Sequence, residues 1–179
     1  MKNIEIFSIY VTKILTELHS NFPIYVTLDH HEIIQKYLST EYDETMKQLV
    51  IEKDLADIFM VSEDKNSELY KAAAEQSPQK AEIIREIEDK NEEDKKHQLQ
   101  ILDGTIEFLI AENFIRSSQN SYALTNKGFS SLSMSSNGDS SYAEVFSKIF
   151  NTTGEVAKEF TVQTAVSIAT AFFMAVISS

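Results

Sequence analysis

Apolar residues recur along this chain at intervals of three and four, the spacing of one face of an α-helix, and they do so in segment after segment. Ile4, Phe7, Val11, Ile14, Leu15 and Leu18 make the first such stripe, which stops at Ser20-Asn21-Phe22-Pro23 because proline cannot continue a helix. A helix over 4–19 with one buried face is predicted. The next residues, Ile24-Tyr25-Val26-Thr27-Leu28, are β-branched or aromatic enough for a short strand over 24–28. Asp29 then opens a second helix over 29–38. Its carboxylate can accept an amide of the first turn while Glu32 reaches back, with Ile33, Ile34, Tyr37 and Leu38 as the inner face.

Helical spacing continues through Met46, Leu49, Val50, Leu55, Ile58 and Phe59, and Ser62 to Gln76 reads as a solvated helix. Ser77-Pro78 reads as an N-cap with proline at the first helical position. The segment from Gln79 to Gln98 has little to bury beyond Ile83, Ile84 and Ile87. Its pairs Glu86 with Lys90 and Glu92 with Lys96 suit an exposed helix, and its apolar seam is too short for a coiled coil. Leu99, Leu102, Ile106, Leu109 and Ile110 form one more apolar face. Two short strands, Asn113 to Arg116 and Tyr122 to Leu124, flank a polar turn at Ser117–Ser121. Thr125 caps a helix from Asn126 that carries Phe129 and Leu132.

The run from Ile101 to Leu132 resembles the third helix, wing hairpin and following helix of bacterial winged-helix proteins. The likeness is carried by Glu112-Asn113-Phe114-Ile115-Arg116 followed by Tyr122-Ala123-Leu124-Thr125-Asn126-Lys127-Gly128. The earlier helix, strand and helix would then be the first three elements of the same domain. The resemblance implies a mainly α fold with a small β wing (α+β), its winged-helix-like core spanning 1–132. In that family a tight turn joins the second and third helices and sets the pose of the third in the major groove. Here a helical insertion, 39–97, occupies that joint.

Beyond the core, 133–141 reads as a serine-rich linker and 142–179 as a C-terminal helical tail. Val145, Phe146 and Ile149 mark a short helix, and Thr152 with Glu155 a further capping box. After Phe160 the sequence carries no charge. Val162, Val166, Ala169, Phe173 and Val176 share one stripe, while Gln163, Thr164, Ser167 and Thr170 gather on the other side. That segregation, and the lack of Lys or Arg flanks, speaks against a membrane span. Self-association or docking on the folded core fits better. An oligomerising contact through Val162, Val166, Ala169, Phe173 and Val176 is the expectation, with Ala165, Ala169 and Ala175 permitting close helix approach.

Composition narrows the function. With 42% hydrophobic and 25% charged residues the chain is neither disordered nor collagen-like. Its 16 basic and 28 acidic side chains leave a net charge of −12, the wrong sign for neutralising phosphates. Between Ile101 and Leu132 stand Asp103, Glu107 and Glu112 against Arg116 and Lys127, a local net of −1, so no basic face rescues the total. The absence of cysteine removes disulfides and thiolate chemistry. The opening MKNIEIFSIYVTKIL has no small-residue cleavage site and does not read as a signal peptide, so a cytoplasmic address is expected.

Chemistry-bearing motifs are thin. His31-Glu32-Ile33-Ile34-Gln35 lacks the second histidine of the zinc-protease signature, and His30 and His31 read as first-turn helix residues. His19 reads as a cation at a helix C-terminus, and His97 lies in the solvated stretch. Gly104, Gly128, Gly138 and Gly154 are too dispersed for a phosphate loop, and Gly128 answers a backbone need after the hairpin. No metal, cofactor or catalytic residue is expected. The favoured function is a non-enzymatic protein-interaction module, of which a toxin-neutralising immunity protein is one form. Its basic partner would be met along Glu82, Glu86, Glu92, Glu93 and Asp94, and its tail would form a homo-oligomer. The competing reading is a dimeric DNA-binding transcriptional regulator with Arg116 and Lys127, joined by Lys95 and Lys96, on phosphates.

Overall fold

The computed structural model describes residues 3–35, 40–134, 140–150 and 155–177. In chain order it forms α1 (Asn3–Ser20), α2 (His30–Gln35), α3 (Thr40–Ser62), α4 (Glu68–Ala111), β1 (Ile115–Ser118), β2 (Ser121–Leu124), α5 (Asn126–Ser133), α6 (Tyr142–Phe150) and α7 (Glu155–Ile177). The protein is mainly helical with one small antiparallel sheet among the described residues. Its residues fall into two units, one made of Met1–Lys36 with Gln98–Ser179 and the other of Tyr37–His97.

The first unit is built around α1. Rather than one buried stripe, the helix is covered on most sides: Ile6, Ile9, Tyr10, Val11, Ile14, Leu15 and Leu18 are all buried, because α7, α6, α5 and β2 pack against it. Ser8 and Thr12 are buried too, and each hydroxyl donates to the carbonyl four residues back, at 2.8 and 2.7 Å, so neither is orphaned, unlike the buried Thr16 hydroxyl one turn further on. The Tyr10 hydroxyl donates to Gln98 Oε1 at 2.7 Å, tying α1 to the C-terminal part of α4. A ring cluster closes the core: Phe172 lies with its centroid 5.4 Å from Phe114, 5.7 Å from Phe146 and 5.4 Å from Tyr142.

Several expectations are corrected here. Residues 24–28 form no strand; only Val26 bridges antiparallel to Tyr122, exchanging two backbone bonds of 2.8 Å. Ser77-Pro78 does not start a helix. It lies inside α4, which also absorbs the separately expected helix from Leu99, and the Ser77 hydroxyl donates to Asp57 Oδ1 at 2.6 Å instead of capping. Ser133, expected as the first residue of the linker, is instead the last residue of α5, donating its hydroxyl to the Phe129 carbonyl at 2.9 Å. The second helix is described only over His30–Gln35, and the pairing of Thr152 with Glu155 lies outside the described residues.

The local signals around the hairpin hold. Asp29 Oδ1 accepts from Glu32 N at 3.0 Å, and Thr125 Oγ1 accepts from Gly128 N at 3.0 Å. At the end of α4, Phe114 N donates to Leu109 O and Asn113 N to Ile110 O, with Asn113 at φ 58°. This is a Schellman stop with asparagine in the left-handed position. The hairpin turns on Gln119 and Asn120, both at positive φ, as a two-residue primed turn requires.

Candidate functional site

Three surfaces were open to a function from sequence, and the structure equips them differently. The hairpin edge comes first. Arg116 is exposed, with its guanidinium 5.1 Å from the centre of the Tyr25 ring, beside the exposed Ile24. Lys127 donates its ammonium to the Glu112 carbonyl at 2.8 Å and sits 4.6 Å from the Phe114 ring centre, so it serves the C-terminal end of α4. Both residues expected on phosphates therefore have partners within the chain. The neighbouring turns of α4 expose Asp103, Glu107 and Glu112. Asp103 lies 3.3 Å from His30 Nδ1.

The tail surface is the second. Ala169 is fully buried, and Phe173 packs against Phe108 and Phe114 with centroids 5.4 and 5.8 Å away. At these two positions the expected intermolecular seam is taken up within the chain, because α1 offers α7 an apolar face to cover. Val166 and Val176 are half-buried, and the side chain of Val162 lies outside the described residues. Gln163, Ser167 and Thr170 face solvent, as the two-sided pattern of this helix requires. No helix among the described residues is long and apolar enough to cross a membrane.

The second unit is the third surface. Here α3 and α4 run antiparallel, joined by Lys80 to Glu52 at 2.6 Å and by the Ser77–Asp57 bond, with Lys53 holding Asp57 from within α3 at 2.7 Å. The Lys80 hydrogen bond holds the Glu52 carboxyl below its ordinary pKa, and Lys53 with Ser77 does the same for Asp57. Beyond this seam Glu82, Glu86, Glu92, Glu93 and Asp94 are all exposed, and the four glutamates form no ion pair among the described residues. From Glu82 to Asp94 seven acids stand against Arg85 and Lys90, a net of −5. Lys95 is half-buried and Lys96 exposed.

Two shallow clefts share Thr16, Ser20 and Ser147 in the first unit. The larger, about 490 Å³, is also lined by His19, Phe129 and Glu144. Burial lowers the His19 pKa, and its ring lies parallel to Phe129 at 5.2 Å, so the residue favours the neutral form over the cation expected at a helix end. Glu144 and Ser141 are occupied in capping α6 reciprocally. Among the described residues no three His, Asp or Glu side chains gather as metal ligands. No family model, curated protein or solved structure matches this chain.

Proposed function

We propose that this chain is a non-enzymatic protein-interaction module, built on a body of winged-helix type, whose second unit binds a basic protein partner. The observation that carries the reading is the exposed acidic run from Glu82 to Asp94, seven acids against two bases on one helix. Such a surface speeds encounter with a basic partner and rejects acidic ones. The body is supported by the order of its elements. α1, the Val26 bridge, α2, the C-terminal part of α4 and the β1–β2 hairpin follow one another as in that class, with Val26 as a rudimentary third strand beside β2. Fold type alone does not assign DNA binding. The only charged residues exposed on the helix that would enter a groove, the C-terminal part of α4 from Leu99, are the acids Asp103 and Glu107, and Arg116 and Lys127 are engaged within the chain. An immunity protein that neutralises a basic toxin is the concrete form of this function.

The test uses a fluorescent polylysine peptide and random duplex DNA as probes of the full chain. Polylysine should bind, and Glu82→Lys/Glu86→Lys/Glu93→Lys should weaken it by about tenfold, well beyond a control of equal charge, Glu63→Lys/Glu68→Lys/Glu75→Lys. DNA should not bind at low salt. Equal losses in the two variants would remove the assignment to this face, and micromolar DNA affinity with a steep salt dependence would favour a regulator instead.

A further inference from the structure

The second unit hides almost nothing of its own. Among its described residues the buried side chains are Ala56, Ala73 and Ser77, and the seam around them is closed by the Lys80–Glu52 ion pair and the Ser77–Asp57 bond. Met46, Leu49 and Met60 are half-buried on the side of Ala56, while a second set of large apolar side chains lies on the other side of α3. Ile51, Leu55 and Ile58 are 60, 49 and 58% exposed, and their steps of four and three place them on one stripe, turned away from Ala56 and Lys53. Val50 and Phe59 flank the stripe and are exposed as well. A helix that is apolar on two sides belongs in a setting where both sides are covered. A two-helix hairpin whose larger inner side chains are only half-buried has little buried apolar area with which to gain stability from packing alone.

We propose that the outer face of α3 is the contact between two copies of this chain, hairpin against hairpin in a four-helix arrangement. Charge selects this occupant. In register with the stripe the sequence places Lys47 against Asp54 and Glu44, a net of −1, whereas the chain as a whole carries −12. Two copies of so acidic a protein meet at least cost where the net charge is small, and this face is far less charged than the run of −5 on α4. A basic partner is drawn instead to α4, where Glu82, Glu86 and Glu93 share the side remote from Ala73 and Ser77. An anionic membrane surface repels the unit outright. A two-fold axis sets a patch against itself, so an apolar patch of small charge is its own complement. Steps of four and three are those of helices packed at about 20° in bundles.

Sedimentation of the full chain over a range of concentrations tests this. A dissociable species of twice the chain mass is expected, and Leu55→Glu/Ile58→Glu should abolish it while leaving the far-UV circular dichroism unchanged, since both side chains are already half in solvent. Met174→Glu, on the exposed side of α7, should leave the dimer intact. The chain has no cysteine, so a single one can report the contact. Leu55→Cys should oxidise to a covalent dimer and Glu82→Cys should not. A chain that stays monomeric at every concentration, a dimer that survives Leu55→Glu/Ile58→Glu, or equal crosslinking at both cysteines would each overturn the proposal.

Discussion

Two glycines separate space from conformation as reasons for having no side chain. A Cβ on Gly128 would stand 2.2 Å from the Phe114 carbonyl oxygen, which already accepts from Thr125 N at 3.0 Å and so cannot retreat cheaply. A Cβ on Gly104 would meet nothing within 4 Å, inside α4 where alanine is the better helix former. Gly128→Ala should therefore cost about 1–3 kcal/mol, as overpacking does, while Gly104→Ala should gain about 0.5–1 kcal/mol. Denaturant midpoints of the two variants check the pair, and shifts in the same direction would contradict the account. The need at Gly128 was readable from its place after the hairpin. The left-handed turn at Asn113 was not, because an asparagine before Phe114-Ile115 looks like the start of a strand until the two Schellman bonds are seen.

At the level of elements, what was legible is what neighbours in sequence decide. The helical stripes, the Asp29 and Thr125 caps and the polar turn between two short strands all depend on residues within a few positions of one another. The misreadings all have distant partners. Ser77 looked like a cap because Asp57, twenty residues back, takes its hydroxyl. Residues 24–28 looked like a strand because the sequence does not reveal that β2 bonds back only at Val26. Periodicity marked α3 as amphipathic without saying which side was inner, and the exposed side proved to hold Ile51, Leu55 and Ile58. The acidic run was legible, since a charged helix face is solvated whatever lies behind it. Helix α7 is the sharpest case, because its apolar stripe fits a foreign helix as well as α1. Phe172 settles its role in the monomer, being fully buried among Phe114, Phe146 and Tyr142. Phe172→Ala should cost about 3–5 kcal/mol. Thr170→Ala, on the exposed side, should be close to neutral. Chemical denaturation distinguishes this from a detachable tail, for which Phe172→Ala would leave the midpoint in place.

For the whole molecule, stability and charge are divided between the two units. Every side chain of the described residues that is both large and fully buried lies in the first unit, between Ile9 and Phe172. Tyr37–His97 holds 17 of the 28 acids and 9 of the 16 bases, so −8 of the net −12 belongs to the second unit and −4 to the first. One part supplies the core and the other the surface that meets partners. Joining Lys36 to Gln98 through a short Gly–Ser linker should leave a protein that melts cooperatively and keeps its near-UV circular dichroism, because the Phe172 ring cluster and the Tyr10–Gln98 bond are retained. The shortened chain should lose polylysine binding and sediment as a monomer at the concentrations where the full chain dimerises. A shortened chain that keeps its helix content but melts without cooperativity and binds a hydrophobic dye would show that the first unit's core depends on the second. One that folds and still dimerises would move the self-contact away from α3, back to the first unit, where Phe108 and Ile110 on α4 and Met174 on α7 are exposed large apolar side chains.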